Sequence, residues 1–540
     1  MKRWIAGLLV LLLLLCTCTA CGSDKSADRS FFYPLTAQPK SLDPQICGDT
    51  DTAAVVSSMY EGLVRLGADG SVQPGVAQSM ELSADGKQYT FHLREDARWH
   101  IIKNFSEIYG DGCEKNLELQ VTAEDFVFTF QRIFSAVTNT PGADSLYMIR
   151  NAEAVHKGAL TPLELGVSAV DAHTLVITLE RPCAEFPALL TQPICVPCNR
   201  FFFESTKGKY GLGLAYTMCN GPFYLSKWTT DVNLFLRRNP DYANDYEVIP
   251  AAVYYYFNKD IGSYAKRVTE GNYDGAPIDR AYLDQLGSNV KTVQAADTVW
   301  GMAFNCNDPL LSNAYLRMAL CSAFSAETME MPDKTPAQGL LPTGCRIAGE
   351  NYREKAGAVD PLEENEDRAL LFMQFAAEAL KTTSVSLTIL CTEEYDVAMR
   401  KVIQRWQKVF GISVSASTQV CTEEELQAAQ KSGEYQIAFL PVKAVSTSAA
   451  LSLHHFTGEE NRFTVDSTEY DGYIRAVLEA PTAASAVSCC RSAEAYLIRT
   501  GVFYPVFEDT SCFAFYGQTE GITVTPCGET VNFSTARKLD

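Results

Sequence analysis

This chain of 540 residues lacks the motifs by which most enzymes can be read. It has no Gly-x-Ser-x-Gly elbow, no His-Glu-x-x-His, no phosphate-cradling Gly-x-x-x-x-Gly-Lys loop and no Gly-x-Gly-x-x-Gly turn. Their absence argues against an extracellular hydrolase, a zinc protease and a nucleotide-driven enzyme. Histidine is scarce at six residues. The lone Cys195-Val196-Pro197-Cys198 therefore finds no second pair of ligands at readable spacing, and it reads as structural, with a local disulfide or metal site as alternatives. His454 and His455 are vicinal, and on a helix such neighbours point about 100° apart, a poor arrangement for joint chelation. Positive charge is also short, with 45 basic against 65 acidic residues and a net charge of −20. An acidic surface of this kind repels nucleic acid and anionic headgroups, so the protein body is expected to bind neither. Internal repeats and low-complexity linkers are missing, while the length exceeds one core and allows two to four domains.

The one long apolar run, Trp4 to Leu15, is shorter than the roughly 20 residues needed to span a bilayer. It follows Lys2-Arg3 and precedes small residues ending at Ala20-Cys21-Gly22, the grammar of an export leader. We expect cleavage after residue 20 and lipidation of Cys21. Cys16 and Cys18 are weaker candidates because no Ala or Gly directly precedes them. Loss of Lys2 and Arg3 with the leader deepens the net charge of −20 by two, to about −22. Of the 18 cysteines, 15 follow Cys21, an odd number, so at least one is unpaired or intermolecular.

Local chemistry is clearest between Pro74 and Trp99. Runs at Met80–Leu82 and Tyr89–Leu93 flank Ser83-Ala84-Asp85-Gly86-Lys87, and Asp-Gly between alternating apolar segments predicts a hairpin whose turn needs positive φ at Gly86. Thr122-Ala123-Glu124-Asp125 before Phe126-Val127-Phe128-Thr129-Phe130-Gln131-Arg132 predicts a capped helix start. Helices are also expected over Asp51–Leu66, Asn313–Met329 and Asp396–Phe410, and strands over Val253–Phe257 and Val299–Asn307. His173, in a turn between two strands of 166–179, reads as a solvated turn residue.

Taken in order, the Pro-Gly-x-Ala segment at Pro74, the Asp-Gly-Lys hairpin, Phe91-His92-Leu93-Arg94, Trp99, Thr122-Ala123-x-Asp125-Phe126 and Arg132 resemble the extracellular solute-binding proteins of family 5, the oligopeptide, dipeptide and nickel-binding type. Ser41-Leu42-Asp43-Pro44, Tyr60-Glu61-Gly62-Leu63, Asn220-Gly221-Pro222-Phe223-Tyr224 and Tyr504-Pro505-Val506-Phe507 extend the resemblance from about Phe31 to Lys538. A longer insertion, His100 to Val121, replaces the usual short loop. The resemblance implies an α/β, periplasmic-binding-protein-like fold (type II, cluster C) with two hinged lobes and a small extra domain. The expected boundaries are 1–20 for the leader, 21–66, 186–297 and 506–540 for lobe I, 67–185 for the appended domain and 298–505 for lobe II.

The resemblance also implies a function: an anchored extracytoplasmic protein, acting as a monomer, that captures a peptide or other small solute and delivers it to the permease subunits of an ABC importer. It requires no cofactor, metal or catalysis. A peptide-signal receptor without transport and a binder of a non-peptide solute such as a metal complex are the alternatives. Relatives place Tyr60, Glu61, Gly62, Asn220 and Gly221 beside the cleft, although Glu61 and Gly62 could merely end a helix and Asn220-Gly221 form a turn. Peptide binders carry an aromatic and then an Asp after the strand that here spans Tyr435–Leu440, and that Asp holds the peptide ammonium. This chain has Pro441-Val442-Lys443-Ala444-Val445-Ser446 instead, with no acid and no aromatic. The expected ligand contacts are thus Val442, Lys443, Ala444 and Val445, with Lys443 either solvated, the commoner outcome, or facing an anionic ligand group, and with Phe507 and Asp509 on the returning strand. The site is therefore expected to take a peptide-like or other small solute without the usual ammonium anchor; a large loss of affinity on N-acetylation would mean instead that another acid, Glu61 or Asp509, has taken over that role.

Overall fold

The computed structural model describes residues 29–102, 105–110, 115, 117–457, 467–528 and 530–539. The leader with Cys21 and part of the 100–121 insertion lie outside them. The hairpin forms as its sequence dictates. Ala77–Leu82 pairs antiparallel with Gln88–Leu93, Gly86 takes φ +71°, and Ser83 Oγ donates to Asp85 across the turn at 2.6 Å. Tyr89, Phe91 and Leu93 alternate into the core, and the sheet continues through Thr174–Thr178 to Val167–Asp171. Helix Ala123–Ile133 starts with a capping box in which the Asp125 carboxylate accepts from the Thr122 amide at 2.9 Å. Its Phe126, Phe130 and Ile133 are fully buried.

A second four-stranded sheet runs in the order Ser30–Leu35, Ala252–Phe257, Asn233–Arg238 and Phe223–Thr229. Its core residues, among them Phe31, Leu234 and Val253, join Phe91, Phe126 and Ile177 of the region 67–185 in one continuous cluster. A larger sheet, in the order Gly275–Ile278, Phe503–Tyr516, Val290–Phe304, Ile437–Lys443, Val385–Thr392 and Val414–Cys421, carries the second body. There helix Glu393–Phe410 buries Met399, Val402 and Trp406. Two strands, Val290–Phe304 and Phe503–Tyr516, run through both bodies. Their pairing slips between Ala296 and Thr298, a bulge that bends the ladder. The expected lobe boundaries at 297/298 and 505/506 therefore fall inside these strands, the first at this bulge and the second at another slip, where Trp300 pairs with Phe507 and Gly301 with Pro505.

The helix expected over Asp51–Leu66 is shorter. It spans Thr50–Met59, after which Tyr60 is extended at φ −125° and Val64–Leu66 pairs with Val72–Pro74. The helix ends because other chain segments claim the backbone. The Gly221 amide donates to Met59 O at 2.8 Å, and the Asn220 side chain brackets both backbone groups of Glu61. Neither Glu61 nor Gly62 is the helix cap. No helix among the described residues is long and apolar enough to cross a membrane.

Candidate functional site

Between the two bodies lies a cavity of about 1210 Å³, larger than the roughly 300–1,000 Å³ of ordinary small-molecule sites. One wall is the segment after strand Ser30–Leu35 with helix Thr50–Met59, and the loop 139–147 closes one end. The opposite wall is 443–448 and helix Ala449–His454 of the second body. Ser30–Leu35 is the outermost strand of its sheet. Asp274 engages Phe32, and residues 33–36 beyond it face the cavity. Five lining residues are acidic (Asp49, Asp51, Glu61, Asp144 and Glu185) and three basic (Arg65, Arg346 and Lys443).

Tyr60, Glu61 and Gly62 all line this cavity. The Glu61 carboxylate, however, is enclosed by its own body: Arg94 Nη2 lies at 2.8 Å, Tyr242 OH donates at 2.8 Å and Asn244 Nδ2 at 2.6 Å. Burial pushes its carboxyl up to about 7, with Arg94 opposing the rise. Asn220 and Gly221 stand behind this cluster rather than in the cavity wall. Gly221 has no room for a side chain, since a Cβ there would sit 2.6 Å from the Met59 carbonyl and the Tyr60 nitrogen.

On the opposite wall, Val442 turns into the second body's core while Lys443, Ala444 and Val445 line the cavity. Lys443 Nζ reaches Asp297 Oδ2 at 3.0 Å and Ser511 Oγ at 3.2 Å. Asp297 is fully buried at the strand bulge and also accepts from Ser511 N and Oγ, so Lys443 pairs with the carboxylate at the bulge. Phe507 lies outside the cavity lining, stacked with Trp300 near Tyr395 and Phe439. Asp509 also lies outside it and pairs with Arg280 at 2.8 Å.

Residues that the sequence reading did not single out complete the chamber. Asp51 accepts from Thr36 Oγ1 at 2.6 Å and the Ala37 amide at 2.8 Å, all on Oδ2. Asp144 approaches His454 at 3.4 Å. Glu185 and Ser448 meet across the cleft at 2.6 Å. Their only sequence signals were acids at a helix start or in a loop, which are common everywhere. His173 sits in its turn, with its amide donating to Asp171 at 2.8 Å. Cys195 and Cys198 are buried thiols in no disulfide, with Cys198 pushed up to about 12 by burial. Among the described residues no group of three or more His, Cys, Asp or Glu could hold a metal ion.

Residues 71–463 match the family model described as bacterial extracellular solute-binding proteins, family 5 middle. The dipeptide-binding protein DppE of Bacillus subtilis is 26% identical over 98% of this chain and 97% of its own length. The periplasmic murein peptide-binding protein MppA of Escherichia coli is 31% identical over 71% of this chain and 69% of its own. Among solved structures, Listeria monocytogenes OppA bound to peptide superposes with a TM-score of 0.71 at 21% identity, covering 95% of this chain and all of that one.

Proposed function

We propose, because the chain belongs to the bacterial extracellular solute-binding proteins of family 5, that it is the solute-capturing component of an ABC importer and holds a peptide between two closing bodies. The observation that carries this reading is the 1210 Å³ chamber walled by both bodies, with the free end of an outermost strand along one side. An extended peptide can add its backbone beside residues 33–36, a mode that leaves side-chain choice loose. Closure is favoured only by contacts that the ligand makes with both walls at once. The bulge at Ala296–Thr298, where the buried Asp297 meets the exposed Lys443, serves as the hinge, and residues 67–185 ride with the first body because they share its core. The work is binding without chemistry. The protein acts as a monomer held at the membrane surface through Cys21, and Cys21→Ser is expected to release it from membranes of its native host; retention with the lipid label intact would refute the anchor.

Mass spectrometry of small molecules that co-purify with the leaderless protein is expected to recover peptides, and recovery of a single non-peptide solute would overturn the reading. The ammonium subsite is the second test. The 441–448 segment offers no acid, and Glu61 is enclosed by Arg94, Tyr242 and Asn244. Free and N-acetylated forms of a recovered peptide should therefore bind within about threefold of each other by calorimetry. A loss of about a hundredfold on acetylation would instead identify an acid such as Asp51 or Asp144 as the ammonium partner.

A further inference from the structure

Among the buried carboxyls of the described residues, Glu61, Asp125 and Glu185 are each pushed by burial up to about 7, and they differ in where their partners lie. Asp125 bonds to Thr122 and Trp99 inside the first body. Glu61 bonds to Arg94, Tyr242 and Asn244, again inside the first body. Glu185 alone reaches across the cavity. It precedes helix Phe186–Leu189, whose Phe186 and Leu189 are packed in the first body's core. Its Oε1 lies 2.6 Å from Ser448 Oγ, and its Oε2 accepts from the Ala348 amide. Both partners belong to the second body. Ser448 caps helix Ala449–His454, and Ala348 sits in the tight hairpin joining Arg346–Ile347 to Glu350–Asn351. Glu185 is 1% exposed, yet it borders the chamber.

We propose that Glu185 is a proton-linked latch that holds the two bodies together over the ligand chamber. The proposal deepens the two-body binding reading and rests on it. In the closed arrangement the carboxyl has lost its water, and that desolvation pushes it up to about 7 against the lowering pull of Ser448 and Ala348. No cation compensates. The titratable groups that sense it are the Cys183 thiol on its own segment and the Cys490 thiol on helix Ala483–Arg499, both pushed up by burial and both neutral at neutral pH. The nearby charged side chains are engaged elsewhere: Arg346 on the carbonyls of Asp69 and Gly349, and Arg181 with Glu479. When the bodies part, Ser448 and Ala348 leave with the second body and water returns to the carboxylate, which regains an ordinary affinity for protons. Closing therefore takes up a proton between the ordinary carboxyl range and about pH 7, and acid favours the closed form. The closed-to-open ratio should rise by up to about tenfold per pH unit on descending through that window.

The test uses the full leaderless chain without ligand, so that it is independent of which peptide binds. Small-angle scattering at about pH 8 and about pH 5.5 should show a smaller radius of gyration at the acid pH. Glu185→Gln, a neutral side chain of the same shape, should give the compact radius at both pH values. Ser448→Ala, which removes a partner on the far wall, should give a larger radius than the parent at acid pH and a weaker response. Near-ultraviolet circular dichroism checks that each variant is folded. Equal radii for the parent at both pH values, or an unchanged pH response in Glu185→Gln, would overturn the latch. Failure to recover peptides would instead strike the binding reading while leaving this result standing.

Discussion

Replacing Glu494 by alanine is expected to destabilise the second body by about 3–5 kcal/mol, the usual effect of stranding one partner of a buried ion pair. Glu494 lies on helix Ala483–Arg499 with no exposed surface. Its Oε1 accepts from Arg353 Nη2 at 2.7 Å and the Leu341 amide at 2.9 Å, and its Oε2 accepts from Tyr352 OH at 2.6 Å. Arg353 donates onward to the carbonyls of Leu341 and Gly357, so one carboxylate fastens the whole 339–357 excursion to the helix. A Cβ at Gly339 would sit 2.4 Å from Glu494 Oε1, so glycine there is what lets the loop approach the carboxylate this closely. Glu494→Gln should lose less, about 1–3 kcal/mol, because shape and some hydrogen bonds survive. The pair Glu494→Leu with Arg353→Met should recover only part of the loss, since it removes the stranded charge but leaves Tyr352 OH, the Leu341 amide and the carbonyls of Leu341 and Gly357 without these partners. Denaturant unfolding followed by near-ultraviolet circular dichroism reads all three. A loss below about 1 kcal/mol for Glu494→Ala would show that water reaches the guanidinium.

What the sequence disclosed, it disclosed through local chemistry. Asp85-Gly86 makes its turn and Thr122/Asp125 its capping box because each motif satisfies its own backbone within a few residues. Two motifs read separately also prove to be halves of one contact. Arg132, the last residue of the helix motif, pairs with Asp43 of the Ser-Leu-Asp-Pro turn at 2.6 Å, with both buried. The end of helix Thr50–Met59 was not legible, because the groups that stop it come from Asn220 and Gly221, some 160 residues away. For the same reason the placement of Glu61 in the chamber wall could be read from its motif, whereas the enclosure of its carboxylate could not. Phe507 and Asp509 follow strand alternation into surroundings that only the sheet order reveals. Glu185 carried no pattern at all, since its partners are 163 and 263 positions distant.

The stability of the whole protein is expected to peak near pH 5 and to fall as the pH rises toward 8, the reverse of the trend set by ordinary salt-bridged carboxylates. Burial pushes Glu61, Asp125 and Glu185 each up to about 7, from ordinary values of 4.5, 3.8 and 4.5. The sign follows from proton counting. Between the ordinary value and about 7 the folded chain holds protons that the unfolded chain has released, so raising the pH favours unfolding. The stability these groups contribute is complete below their ordinary values and is lost as the pH passes through about 7. Each raised carboxyl accounts for up to about 3–4 kcal/mol, and relaxation around the ionised forms brings the combined loss to about 3–5 kcal/mol. Self-repulsion of an acidic chain, with its net charge of −20, acts in the same direction. Asp85, Asp171 and Asp396 lie below the ordinary range through hydrogen bonds from Ser83, His173 and Arg400. They work oppositely, losing their stabilisation only as the pH falls through their lowered values, and Asp85 and Asp171, being exposed, matter little. Urea midpoints measured from about pH 4.5 to 8 should therefore decline across the neutral range. Asp125→Asn and Glu185→Gln should each flatten that decline, while an exposed control such as Asp85→Asn should leave it unchanged. A midpoint that climbs from pH 5 to 8 would mean that these carboxyls stay ionised in the folded protein, held by their hydrogen bonds against the pull of burial.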